Sequence, residues 1–554
     1  MILKTLLLFG ALYTVCGKHV NVKEDDYPEL KWPKKYTVEA VKLYLSAGWS
    51  ENYKYWRSSK SSRIDANDGA VIKIARAPRT RKSKGDEYEI HPETTEEELN
   101  KMVCYVKHGT TFSPITPKEF LPLLVWLEPE GPDNVKGVDC VKFTNANENE
   151  AETKQTLWAV YENETEAWVP IRFEEEEVNK WHGYFSNHVI WDFFNFQPNF
   201  VKMDDIKIYK DYDCIEKNDD DDDDTIKSVA ETLESLKPED KQHLDHVFKT
   251  YKKRFNKQYA HKNEHEMRKS IFHKKWRLVE DTNRKNMGYT LALNKLSDRT
   301  DEEMKRYRGL RRNKPRSPGN VPFPYTQQKI KEIAETLPSE YDLRLEGVVG
   351  PVLNQEDCGS CWSFGATAAA EGALARSNGG NLIKLSNQAL LDCSWGFGNS
   401  GCDGGNDEDS YKWMMEYGLP TEQEYGPYLM QEGFCDIENM TTTYKIRGYT
   451  DVTPFSVEAL KVALINHGPL SVSIDSSDAL EMYEEGIFYD PSCESSPDKL
   501  NHEVTLVGYG TKDGDTFWII KNTRGPYWGL DGYAHISTRD NNCGVATEPT
   551  YVVF

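Results

Sequence analysis

The chain has 554 residues, enough for about three or four domains, and its 38% hydrophobic and 12% aromatic content is enough to build their cores. A formal net charge of −22 excludes nucleic acid as an expected partner, because phosphate binding needs clustered lysine and arginine. After the first residues no run of about 18 apolar residues occurs, so no membrane span is expected.

The chain opens MILKTLLLFGALYTVCGKHV. Lys4, a short apolar run and the small residues around Val15-Cys16-Gly17 predict a signal peptide over residues 1–17, too short to span a bilayer. The expected destination is the secretory pathway, either the lysosome or the cell exterior, under oxidising conditions. The tripeptides Asn163-Glu-Thr and Asn439-Met-Thr are candidate glycosylation sites.

Residues 18–212 alternate aromatic or β-branched with polar residues, as in TLWAVYENETEAWVPIRF, with turn signals between the runs. This predicts a β-rich domain of antiparallel sheet. Cys104 and Cys140 are its candidate disulfide, and no catalytic constellation stands out. Residues 213–232 contain six consecutive aspartates, Asp219 to Asp224. These repel one another and read as a solvated linker rather than a calcium loop, which needs spaced ligands and a glycine turn. Cys214 is left over there, free or tying chains together. No metal or cofactor is called for by any pattern in the chain.

Residues 233–336 turn helical and basic. Between Ile226 and Thr336 there are 27 Lys plus Arg against 15 Asp plus Glu, net +12. Between Leu337 and Phe554 there are 12 against 33, net −21. A basic module followed by an acidic one predicts that the two dock. Within the basic module Glu264, Arg268, Phe272, Val279 and Asn283 fall along one stripe of a helix. ALNKLSD follows, then an extended connector around PRSPGNVPFP, with Arg311-Arg312 as a candidate cleavage site.

The last segment carries NQEDCGSCWSFG. Cys358 and Cys361 could form a redox disulfide, half a zinc site, or one structural and one reactive cysteine. Seven cysteines lie in this segment, an odd number, so three disulfides would leave one thiol free. Neither a βαβ setting nor a second pair of zinc ligands at close spacing is present. Cys361 opens a helix-prone stretch, where the positive end of the dipole favours thiolate. His502 in NHEV can supply a cationic neighbour and protonate the leaving amine, and Asn522 can hold its ring. Gln355 can offer its amide, with the Cys361 N–H, to a developing oxyanion.

With those residues in this order, residues 337–554 resemble a papain-family cysteine protease of the cathepsin L-like kind over their whole length. NQEDCGSCWSFG, GCDGG, NHEV and the WII-KN…WGLDGY run carry the resemblance. Residues 233–336 are similar to that family's inhibitory propeptide, with Lys275 where the helix motif has its middle asparagine. The β-rich region more loosely resembles the N-terminal extension of the two-chain insect haemocyte protease (26/29 kDa), and ependymin-like folds that hold apolar ligands.

The resemblance implies an α+β fold: a two-lobed catalytic domain with a helical lobe and a β-barrel-like lobe, behind a helical propeptide and the β-rich domain. It implies disulfides Cys358–Cys402, Cys393–Cys435 and Cys493–Cys543, leaving Cys361 as the nucleophile of a Cys361–His502–Asn522 mechanism. It implies that Gly404, Gly405 and Trp528 meet substrate, and that Asn406, Asp407, Glu503 and Glu548 line the pocket for the residue two before the cut bond. Those carboxylates predict that Arg or Lys is accepted there. The implied product is a cysteine endopeptidase made as a zymogen, acting on peptides and proteins, with its own propeptide as intramolecular inhibitor. Acid would weaken the charged clamp by protonating carboxylates. The β-rich domain could be retained as a non-covalent chain.

One departure stands beside the site. Asn522-Thr523-Arg524 replaces the family's Asn-Ser-Trp, and a charge there disfavours the imidazolium. The expectation is a lowered histidine pKa and a weaker enzyme, with Arg524→Trp raising turnover. The competing reading is a papain-fold binding protein with weak or no activity, whose main role lies in the N-terminal domain.

Overall fold

The computed structural model describes residues 27–45, 49–78, 83–95, 97–110, 114–124, 127–145, 153–178, 185–207, 212–216, 238–259, 261–312 and 316–554. The expected signal peptide and the six aspartates lie outside these residues. Among them, no helix is long and apolar enough to cross a membrane.

Alternation in the first part folds as expected. Along Tyr36–Tyr44 the buried residues are Tyr36, Val38, Ala40 and Tyr44, so one face of the strand enters a core. That strand pairs antiparallel with Trp49–Arg57 on one side and Phe185–Pro198 on the other. Successive hairpins extend the sheet both ways to 12 strands. Tyr36, Phe143, Leu157, Trp168 and Phe193 fill the core.

The cysteine pairing differs from expectation. Cys104 bonds Cys214, and Cys140 is a buried free thiol. Cys104 lies in Lys101–His108, one strand in from one edge of the sheet, and Cys140 in Val138–Asn145, one strand in from the other. The linker cysteine is instead brought to Cys104 by Ile215–Glu216, which pairs parallel to Tyr105 and Val106. Strand order, which separates Cys104 from Cys140, is not written in alternation.

Helix Pro238–Arg254 packs Leu244, Phe248 and Tyr251 against Phe272 of helix Lys262–Lys285. The stripe residues divide the work. Phe272 and Val279 are buried, Arg268 joins Glu264 and Glu303, and the Asn283 side chain bonds both the N–H and C=O of Leu291 at 2.8 Å. Asp298 of ALNKLSD accepts from Tyr251 at 2.8 Å, Tyr259 at 2.7 Å and Lys257 at 2.8 Å.

The basic segment docks on the acidic one through specific pairs. Strand Tyr289–Leu291 extends the C-terminal sheet by pairing with Tyr483–Phe488. Lys275, buried, pairs with Asp478, and Arg308 reaches the same carboxylate at 3.3 Å.

The C-terminal segment has two cores. One surrounds helices Cys361–Ser377 and Asn387–Cys393, with Trp362, Ala366, Leu390 and Trp413. The other covers strands Leu470–Ile474, His502–Lys512 and Asp515–Lys521, with Val472, Val504, Leu506, Trp518 and Ile520. Disulfides join Cys358 to Cys402, Cys393 to Cys435 and Cys493 to Cys543. The β-rich domain touches the first lobe directly. The Asn100 side chain exchanges hydrogen bonds with the Cys435 backbone at 2.7 and 3.2 Å, and His91 packs on Trp395.

Candidate active site

Three elements from two lobes converge on one place. Cys361 is the first residue of helix Cys361–Ser377, His502 the first of strand His502–Lys512, and Asn522 follows strand Asp515–Lys521. All three are buried, as is Gln355. His502 Nε2 lies 2.8 Å from Asn522 Oδ1, while its Nδ1 has no hydrogen-bond partner among the described residues. That division leaves Nδ1 for other work once its surroundings change.

Cys361 and His502 are held neutral here. Burial, followed by the charge of Glu503, pushes the Cys361 thiol up to about 12, against the opposing backbone N–H groups of Glu503 and Gly309. Burial first, then the guanidinium of Arg524, pulls His502 down to about 3, opposed by Glu481 and Asn522. An ion pair does not form between groups so placed, so this arrangement is a latent one.

The segment after helix Asp301–Lys305 threads over the site. The Tyr307 carbonyl accepts from Arg524 Nη2 at 2.8 Å and from Gln355 Nε2 at 3.3 Å. Gly405 N–H donates to the Gly309 carbonyl at 3.0 Å, Arg311 N–H to the Gly405 carbonyl at 2.8 Å, and Leu310 N–H to the Asn501 carbonyl at 3.2 Å. Gly405 thus presents its backbone to the segment, and Gly404 lets it pass close by, since a Cβ there would meet the Gly309 oxygen at 2.9 Å. A Cβ on Gly405 would meet Asn399 at 2.4 Å and Trp362 at 2.8 Å, so the position needs glycine.

The candidate acidic pocket is assembled around two arginines of the same segment. Arg312 pairs with Glu548 and donates to Ser473 at 3.2 Å. Arg316 reaches Asp407 at 3.4 Å and Asp451 at 2.9 Å. Glu503 sits deeper, bonded by Ser471 beneath Gly365, where an added Cβ would meet its Oε1 at 2.8 Å. Burial, then Asp407, holds the Glu503 carboxyl well above the usual range, and burial raises Glu548 despite Arg312. Asn406 caps helix Asp407–Glu416 and bonds the Arg311 carbonyl at 3.1 Å. Trp528 lies behind Arg524 and its partner Glu481, donating to the Glu481 carbonyl at 3.1 Å and packing on Tyr483.

Arg524 is buried beside His502, whose pKa is lowered by burial and then by that charge, as expected there. Its guanidinium is buried against Glu481, Nε to Oε2 at 2.9 Å and Nη2 to Oε1 at 2.8 Å, and its Nη1 donates to Gln355 Oε1 at 3.0 Å. Glu481, Thr523, Tyr307 and Gly309 are the site residues that sequence reasoning missed. The signal for Glu481 existed, since a buried arginine calls for a buried carboxylate and LEMYEEG was at hand. Asn163 and Asn439 are both exposed.

Residues 337–553 match the papain family cysteine protease profile, and residues 248–304 the cathepsin propeptide inhibitor domain (I29). The chain is 36% identical over 309 residues to pro-cathepsin H of Medicago truncatula, covering 55% of this chain and 85% of that protein. It is 34% identical over 330 residues to human cathepsin L2, covering 58% of this chain and 95% of that protein. Among solved structures, digestive procathepsin L2 from Tenebrio molitor larval midgut superposes with a TM-score of 0.51 at 31% identity, over 56% of this chain and 100% of that one.

Proposed function

The chain belongs to the papain family of cysteine proteases, as a procathepsin L-like zymogen and cysteine endopeptidase, and from that premise we propose that Cys361, His502 and Asn522 carry its chemistry. Once residues 306–312 leave the cleft, water returns to both groups and the burial that keeps them neutral is relieved. The Cys361 thiolate then attacks the substrate carbonyl, with Gln355 Nε2 and the Cys361 N–H facing the oxyanion. The His502 imidazolium protonates the leaving amine, and water hydrolyses the thioester with His502 as base. The observation that best supports this reading is the chain segment laid between Gln355 and Gly405 above Cys361, as an extended peptide would lie. The rival reading, a fold kept only for binding, is not favoured, because Gln355, Cys361, His502 and Asn522 are all in place.

The pocket formed by Asp407, Glu503 and Glu548 is proposed to accept Arg or Lys two residues before the cut bond, as Arg312 is held now. The mature enzyme should cut an Arg-Arg amide at least as well as a Phe-Arg amide. Glu548→Ala should shift the ratio toward Phe-Arg; an unchanged ratio refutes the assignment.

The enzyme is further proposed to work in the lysosome or outside the cell. The β-rich domain is proposed to stay bound without a covalent link after cleavage between residues 217 and 336. The Cys104–Cys214 bond closes within the first part of the chain, and the other three disulfides within the last. Non-reducing electrophoresis of the matured protein should separate two chains that co-elute on gel filtration; one band without reductant refutes this.

A further inference from the structure

Resting on the protease reading above, we propose that Arg524 is a further catalytic residue, whose Nη2 shares with the Gln355 amide the carbonyl oxygen that becomes the oxyanion. The Tyr307 carbonyl oxygen already occupies a point where the two donors meet, 2.8 Å from Arg524 Nη2 and 3.3 Å from Gln355 Nε2. Gly309, two residues further on, crosses at the Cys361 thiol and is joined to Gly405. A substrate carbonyl oxygen seated where the Tyr307 oxygen now lies would accept from both groups.

The surroundings are built to hold this geometry. Glu481 grips the guanidinium through two bonds, at 2.9 and 2.8 Å, and is itself fixed by Ser476 at 2.8 Å. Arg524 Nη1, at 3.0 Å, and Thr523 Oγ1, at 2.5 Å, both donate to Gln355 Oε1. A carbonyl oxygen that accepts two bonds settles which end of the amide is which, so the NH2 group is the end that donates to the Cys358 carbonyl at 2.8 Å and to the Tyr307 carbonyl at 3.3 Å. Arg524 thereby orients one donor and supplies another. The planar fork allows both at once, which lysine could not do. Glu481 keeps the buried cation compensated, and a donor fixed in a dry site needs no reorganisation when charge develops.

The electron count is that of ordinary acyl transfer. The Cys361 sulfur forms a bond to the carbonyl carbon, and the C=O π pair moves to oxygen, opposite Arg524 Nη2 and Gln355 Nε2. The pair then returns, the C–N bond breaks, and the His502 imidazolium gives its proton to the amine. Arg524 stays protonated throughout.

This reverses one expectation from sequence. Arg524→Trp, expected there to raise turnover by relieving the imidazolium, should now lower it, because it strands Glu481 and frees the Gln355 amide.

The test compares matured wild type with Arg524→Met, Arg524→Lys, Gln355→Ala, the Arg524→Met/Gln355→Ala double variant and the charge-balanced Arg524→Met/Glu481→Leu pair. Three quantities are read: kcat and KM on a peptide amide, affinity for a peptide aldehyde, whose hemithioacetal oxygen takes the oxyanion place, and the rate of Cys361 alkylation by iodoacetamide, which forms no oxyanion. Arg524→Met should lower kcat about 100-fold with KM little changed, the loss typical of one oxyanion donor. Aldehyde affinity should fall by a similar factor, while alkylation, which loses only the influence of Arg524 on His502 and Cys361, should change far less than turnover. Arg524→Lys should recover part of the loss, and the double variant should lose less than the product of the singles. The charge-balanced pair should behave like Arg524→Met, which separates the donor from the stability of the fold. Turnover unchanged or raised in Arg524→Met overturns the proposal, as does alkylation falling as far as turnover in both Arg524→Met variants. A wild type whose turnover equals that of Cys361→Ala overturns the protease reading itself; a wild type that depends on Cys361 while Arg524→Met matches it overturns only the role of Arg524.

Discussion

Alanine at Gly309 would place a methyl carbon 1.9 Å from the Gly359 carbonyl oxygen, 2.2 Å from its carbon and 2.7 Å from its Cα. All three are backbone atoms in the loop that leads into Cys361, so no side chain can swing aside, and the crossing segment must lift by more than 1 Å, on the order of the overlap itself. Lifting breaks the bonds on either side of it: Tyr307 to Gln355 and Arg524, Gly309 to Gly405, and Leu310 to Asn501. Counting the full loss of two or three of these four bonds, at about 1 kcal/mol each, gives about 2–3 kcal/mol, or a roughly 30- to 150-fold larger population of the uncovered site. The assay is the rate at which iodoacetamide labels Cys361 in the intact zymogen at neutral pH, with reductant, followed by peptide mass. Wild type should label slowly, since its thiol is buried and held at about 12. Gly309→Ala should label some tens of times faster, with a melting temperature lowered by no more than the few degrees that such a loss implies. A wild-type rate would refute the claim that this glycine's contact keeps the enzyme closed.

Three further outcomes are expected. Lys275 first, then Arg308, hold the Asp478 carboxyl below its ordinary 3.8 against the effect of burial. A depressed carboxylate contributes stability above its ordinary pKa that is lost as pH falls through the bound value, so this part of the clamp is intact at neutral pH and fails only below about pH 4. Asp478→Asn should raise Cys361 labelling at pH 7 and flatten its rise below pH 4; a profile identical to wild type contradicts this. Glu481→Ala leaves the Arg524 guanidinium buried and uncompensated, and should destabilise the matured enzyme by about 3–5 kcal/mol, seen as a clear fall in melting temperature. Cys214→Ser removes a cross-link spanning 110 residues and should weaken the β-rich domain by about 2–4 kcal/mol in urea unfolding, while Cys140→Ser should lack the cross-link effect.

Much of this was legible in the chain because the chemistry sits in short, ordered motifs. The helix-opening position of Cys361 and the places of His502 and Asn522 at strand ends follow from local patterns, as does the stripe Glu264–Asn283. The charge split told that the basic segment docks, and Lys275 on Asp478 and Arg312 on Glu548 are how it does so. Long-range pairing was hidden. Cys104 meets Cys214 rather than Cys140 because strand order across a wide sheet is a tertiary fact, and alternation reports only faces. Arg524 was read as a charge beside a histidine because its partner Glu481 lies 43 residues away in sequence. The acidic pocket was visible as carboxylates, but that Glu503 would be buried beneath Gly365, with its pKa raised by that burial, depends on packing between a helix and a strand from different lobes.

The central claim is that Cys361 is the nucleophile of a protease kept latent by residues 306–312. It is tested most directly by activating wild-type and Cys361→Ala zymogens side by side, at about pH 5 with reductant to keep the thiol reduced. A trace of a separate protease would mature the inactive variant, and Phe-Arg amide hydrolysis would be followed after propeptide removal is verified. The account predicts strong hydrolysis by wild type and none above background by Cys361→Ala. Equal hydrolysis by both, or none by a fully matured wild type, would contradict it.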